Sequence, residues 1–147
     1  MRLFMYGVLL LSLFGSPADA MSPDAVGQIK NVNGDVSVLR GKDPLPGVAG
    51  TALYRSDLIR TAKPGAAGIV LLDGTTISLG PNSELAIKEY VFDPKEEKFS
   101  LAVRMAKGTF VYLSGLIGKL SPGAVKLTIP NATIGVRGTK LLIDVQE

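Results

Sequence analysis

The chain contains no cysteine and no histidine. These absences remove thiol nucleophiles, disulfides, zinc sites built on Cys or His, and imidazole acid–base chemistry. They also exclude an acylated N-terminal cysteine, and with it a lipoprotein. An oxidising compartment permits disulfides without requiring them, so the lack of cysteine is compatible with export. The serines have no histidine as a base and no Ser-x-x-Lys arrangement, and the carboxylates form no pair that could be placed across a cleft. Gly135-Val136-Arg137-Gly138 lacks the Gly-Lys-Ser/Thr ending of a phosphate loop, and no cluster of Asp and Asn suits calcium. The chain is therefore expected not to be an enzyme, with no catalytic residue, no metal site and no cofactor.

Charge is also sparse. Charged residues make up 20% of the chain and the net charge is +3. Arg2 and Asp19 cancel within the first twenty residues. The lysines are scattered, without the basic stripe and interleaved aromatics that nucleic acid requires, so nucleic acid is not an expected partner. Apolar residues make up 46%, the balance of a folded domain rather than a disordered one. A length of 147 residues allows one ordinary domain with a real core.

What is present begins with an address. Met1-Arg2 is a minimal positive start, Leu3 to Phe14 is an apolar run, and Gly15-Ser16-Pro17 breaks it. Ala18-Asp19-Ala20 then supplies small residues where signal peptidase needs them. A spanning helix needs about twenty apolar residues, more than this run offers. Residues 1–20 are read as a signal peptide cleaved after Ala20, residues 21–26 as a linker and residues 27–147 as the domain. The expected location is the periplasm, with secretion beyond it as a variant. No stable membrane span remains once the signal is cleaved.

The domain reads as short strands. Leu101, Val103 and Met105 share a face, as do Val125, Leu127 and Ile129, Val36 and Val38, and Ile77 and Leu79. This period of two is the half-buried strand signature. Gly68 to Leu72 is continuously apolar and fits a strand covered on both faces. Asp73-Gly74 ends it as a tight-turn pair, so Ile69–Leu72 and Thr75–Leu79 form a hairpin. Ser83 to Tyr90 reads as a strand with Leu85 and Ile87 inward, and residues 93–98 as a charged, solvated hairpin tip. The prolines are expected between strands, where a missing N–H costs no ladder bond. A turn signal every ten or so residues indicates an all-β fold. A solenoid-like or rolled-sheet arrangement is favoured over a sandwich.

The order of motifs is distinctive. Gly27-Gln28-Ile29 and Val32-Asn33-Gly34-Asp35-Val36 come first, then Ser56-Asp57-Leu58-Ile59-Arg60-Thr61 and Val70-Leu71-Leu72-Asp73-Gly74-Thr75. Leu79-Gly80-Pro81-Asn82-Ser83-Glu84-Leu85, Gly108-Thr109-Phe110 and Ile134-Gly135-Val136-Arg137-Gly138-Thr139 follow. This series resembles the FecR domain, from about Gly27 to the C-terminus. The resemblance implies a strand-rich periplasmic domain. In the regulator that names the family, such a domain passes a receptor signal through a membrane helix to a sigma factor. A cleavable signal would leave this chain without that helix, so it is more similar to the stand-alone exported members. The expected function is a binding module for an envelope protein or glycan. A membrane-anchored signalling regulator of the sigma-factor or iron-uptake type stays open, as does a surface protein that binds glycan or peptidoglycan.

Arg60, Thr61, Asp73, Gly74, Gly135, Arg137, Gly138 and Thr139 are read as motif residues with structural roles. Gly138 is expected to take a bend, and Arg137 to pair with a loop carboxylate such as Asp57 or Asp73. In Lys140 to Val145, Leu141, Ile143 and Val145 share one face. This strand is the candidate interaction element, for an envelope partner or a homo-oligomer, if it leaves an open sheet edge. The alternative is an interior strand whose neighbours come from the same chain.

Overall fold

A computed structural model of the chain describes residues 24–136 and 140–146. The expected signal segment, the expected cleavage point after Ala20 and residues 21–23 of the expected linker lie outside the described residues, as does Arg137-Gly138-Thr139.

Among the described residues ten strands join one sheet. They are β1 (Gly27–Arg40), β2 (Asp43–Pro46), β3 (Ala52–Leu53), β4 (Leu58–Leu71) and β5 (Thr76–Leu79). β6 (Glu84–Asp93), β7 (Lys98–Leu113), β8 (Val125–Ile129), β9 (Ala132–Gly135) and β10 (Lys140–Val145) complete it. A short helix, α1 (Leu116–Leu120), and a 3-10 turn at Pro122–Ala124 carry the crossover from β7 to β8, which lie parallel. Parallel neighbours cannot be joined by a tight hairpin, so this detour is a topological necessity. All other pairings are antiparallel.

The alternating residues face where their period places them. Leu101, Val103, Met105, Ile77, Leu79, Leu85, Ile87, Val125 and Leu127 are buried in one hydrophobic cluster, and Ile129 packs half-buried against it. Such burial stabilises by about 1.5–3 kcal/mol for each large aliphatic side chain. The apolar run at 68–72 departs from expectation. Ile69 and Leu71 enter the core, Val70 is half-buried, and Leu72 is 51% exposed. β4 ends at Leu71, so Leu72 lies past the strand, in the turn. The prolines also depart in part. Pro44 and Pro46 stand within β2, which among the described residues pairs with β1 alone and so lies at a sheet margin. Pro64 stands within β4, where the register with β1 slips between Gly34 and Val36. A missing N–H is tolerated at both kinds of position.

β5 and β6 lie end to end between β4 and β7. Ala67, Leu79 and Phe110 form one cross-strand row, and Arg60, Glu84 and Lys107 form another. The pairings thus run in a closed circuit, β4–β5–β7–β6–β4. On a straight strand, Thr76 and Tyr90 would stand roughly 45 Å apart. Instead the Tyr90 hydroxyl meets the backbone N–H of Asp73 at 2.8 Å. The sheet therefore curls upon itself into a small barrel with extra strands at its margins. This is the all-β, rolled arrangement expected from the strand rhythm, built mainly from antiparallel pairings rather than as stacked rungs.

Candidate functional site

The motif residues gather at the places where the sheet bends. At the β4–β5 hairpin, the Leu71 N–H donates to Thr75 O (2.8 Å) and the Gly74 N–H to Leu71 O (2.9 Å). Gly74 has φ +89°, a conformation that side chains disfavour. Asp73 beside it is 3% exposed. Its carboxylate accepts from the Tyr90 hydroxyl (3.0 Å), the Thr75 hydroxyl (2.7 Å), the Thr75 N–H (3.3 Å) and the Ile117 N–H (3.1 Å). Its carbonyl accepts from the Leu116 N–H at 2.9 Å. One side chain thereby ties the hairpin, the far half of β6 and the start of α1 together. A buried carboxylate is tolerable only when hydrogen-bonded in this way. Burial raises the Tyr90 phenol well above its ordinary pKa, and the Asp73 charge beside it raises it further. Burial likewise raises Tyr112.

A second knot holds the interruption between β5 and β6. The Thr61 hydroxyl donates to Gly80 O (2.6 Å) and accepts from the Ser83 N–H (2.9 Å). Ser83 Oγ in turn accepts from the Thr109 N–H at 3.1 Å. Gly108 has φ +101°, and a Cβ there would collide with Ser83 Oγ. Thr61 and Ser83 are both buried. Arg60, next to Thr61, points outward and pairs with Glu84 at 2.9 Å.

The third knot is Asp57, 1% exposed. It accepts from Arg40 Nε (3.1 Å), Arg40 Nη2 (2.9 Å) and the Tyr54 N–H (2.8 Å). The Arg40 guanidinium also lies 4.4 Å from the centre of the Tyr54 ring. Its hydrogen bond to Asp57 raises its pKa against the opposing effect of burial. Arg137, the partner expected for Asp57 or Asp73, lies outside the described residues, as do Gly138 and Thr139. Gly135 is exposed on β9, with open space around it.

Among the described residues no buried side-chain nitrogen or oxygen lacks a hydrogen-bond partner. Among the same residues no group of three Asp or Glu is placed to hold a metal ion, and no helix is long and apolar enough to cross a membrane. Tyr90 and Arg40 were not singled out from sequence, and Ser83 was read only as part of a turn motif. Each is identified by a partner at least 17 positions away, which local patterning does not report.

Several hollows open on the surface, a wide one of about 590 Å³ beside β8 and β9 among them, and two adjoining ones lie on the outer face of β5, β7 and β10. A groove of about 370 Å³ there is lined by Ser78, Gly80, Thr109, Val111, Leu142 and Asp144, among others. A second hollow of about 290 Å³ adjoins it across Ser78 and Leu79, with Asn31, Asn33 and Ala66 on its far side. Of the candidate interaction strand, Ile143 and Val145 are buried and Leu141 is half-buried. Leu142, between them, is 72% exposed. β10 pairs with β7 alone among the described residues, so it forms a sheet margin and not an interior strand.

A family model described as FecR protein matches residues 57–147, more than half of the chain. The match starts at Asp57, at the head of β4, although β1 lies along nearly the whole of β4 in the same sheet. Among curated proteins and among solved structures, nothing matches the chain.

Proposed function

This chain belongs to the FecR family, and on that premise we propose that it is a non-enzymatic binding module of the periplasm that engages an envelope protein or glycan through the outer face of its sheet. The single observation that carries this reading is the division of labour between the two faces. Buried Asp57, Thr61, Asp73, Thr75 and Ser83 are engaged in internal hydrogen bonds. Two adjoining hollows, with exposed Ser78 between them, lie open to solvent outside them, and Gly80 and Thr109 of the second knot line the larger of the two. An open, partly apolar face with few convergent charges suits recognition better than chemistry.

Export rests on the sequence of residues 1–20, and N-terminal sequencing of the periplasmic fraction is expected to begin at Met21. For binding, a photo-crosslinking residue is placed in the full chain at Ser78 and, separately, at Lys95 in the exposed hairpin tip. Adducts with an envelope component are expected from position 78 and not from position 95. Equal yields from both positions, or none from 78, would overturn the assignment of this face.

A further inference from the structure

β10 uses one of its two edges. Six residue pairs, from Lys140–Leu113 to Val145–Gly108, bind it to β7. Ile143 and Val145 are buried, which fixes that register, because a slip of one residue would turn both outward. The other edge carries no pairing among the described residues. The outward side chains are Lys140, Leu142 and Asp144, all exposed.

That triplet is its own complement. If two β10 strands pair antiparallel with Leu142 opposite Leu142, Lys140 of each copy stands opposite Asp144 of the other. The two-fold axis repeats the contact, so one register forms two opposite-charge pairs and one apolar pair. Parallel pairing in the same register would set Lys140 against Lys140 and Asp144 against Asp144. Leu142 also stands beside half-buried Val111 on β7, so the junction would extend an apolar row of Val111, Leu142, Leu142 and Val111 across both copies. Cross-strand pairs of these kinds are what stabilise a sheet and set its register. Closed two-fold symmetry is the commonest arrangement of homo-oligomers.

We propose that the free edge of β10 pairs with the β10 of a second copy of this chain, antiparallel and centred on Leu142, to form a two-fold dimer with a continuous sheet. This assembly goes beyond the binding role and does not depend on the nature of the envelope partner. The junction is short, so the dimer forms and separates with concentration.

The test is sedimentation of the purified full chain over a hundredfold concentration range, with charge-reversal variants. The parent chain is expected to shift from monomer to dimer. Lys140→Glu sets a carboxylate opposite Asp144 of the other copy, and Asp144→Lys sets an ammonium group opposite Lys140. Each creates two like-charge pairs and is expected to weaken the dimer about tenfold or more. The double variant Lys140→Glu/Asp144→Lys restores opposite charges and is expected to regain the parent affinity. An equimolar mixture of the two single variants is expected to dimerise as the parent does, since each supplies what the other lacks. Both side chains are exposed, so thermal midpoints of the single variants serve as folding controls. A chain that stays monomeric throughout overturns the proposal, as does a dimer indifferent to both single variants. Failure of both the double variant and the mixture to recover would also overturn it.

Discussion

Asp73→Asn is the most informative single change, because it keeps the shape of the side chain and removes its charge. The carboxylate accepts four hydrogen bonds, two on each oxygen. An amide offers one oxygen and one NH2 group. Whichever way it is turned, its NH2 faces a backbone N–H, that of Thr75 or that of Ile117. The hydroxyls of Thr75 and Tyr90 can rotate to accept, but a backbone N–H cannot. One buried donor is thus left without a partner, at a cost of about 1–3 kcal/mol, and the remaining bonds lose the charge that makes each worth about 1.5–3 kcal/mol. A total loss of about 3–5 kcal/mol is expected, a large part of the roughly 5–15 kcal/mol that stabilises a domain. For a domain of this size that lowers the melting temperature by about 10 °C or more. Urea unfolding followed by circular dichroism measures the loss directly. A variant within about 0.5 kcal/mol of the parent would refute the claim that Asp73 ties the hairpin, β6 and α1 together.

Four further outcomes follow from the same geometry. Tyr90 has a folded pKa raised above its ordinary value of about 10, so its contribution is present below about pH 10 and is lost as the pH rises through the folded value. Stability measured from pH 9 to pH 12 is expected to fall more steeply in the parent than in Tyr90→Phe, which is itself about 1–3 kcal/mol less stable at neutral pH. Thr61→Val leaves Gly80 O and the Ser83 N–H without their hydroxyl partner and is expected to cost about 1–3 kcal/mol. Arg60→Ala next to it removes only an exposed ion pair and is expected to cost less than about 1 kcal/mol in the same denaturation experiment. Gly108→Ala meets both a positive φ and Ser83 Oγ, and a loss of about 2 kcal/mol or more is expected by thermal unfolding.

Much of the fold was legible because burial imposes a period of two on each strand. Leu101, Val103 and Met105, or Leu85 and Ile87, declare a face without any tertiary information. Asp73-Gly74 and the charged tip at 93–98 marked two hairpins for local reasons, and both stand where expected. What stayed hidden was the partner of each buried polar group. Asp73 meets Ile117 across 44 positions and Tyr90 across 17, and only the curl of the sheet brings them together. α1 is five residues long, too short to show a helical stripe. In Leu141-Leu142-Ile143 the continuous apolar character conceals parity. The odd positions do turn inward, but exposed Leu142 between them lacks the polar signal that marks an outward residue. The candidate site suffered most from this. Motif residues announce themselves through glycine and charge, whereas a groove on the outer face is composed of ordinary Ser, Thr, Val and Leu side chains.

The central claim is that the motif residues hold the rolled sheet while its outer face does the binding. The most direct measurement compares Thr61→Val with Ser78→Arg, recording for each the melting temperature and the capture of the envelope component that parent protein crosslinks. Thr61→Val is expected to melt lower and, while folded, to capture as the parent does. Ser78→Arg is expected to melt as the parent does and to lose capture. A folded Thr61→Val that fails to capture, or a Ser78→Arg that captures normally, would contradict the account.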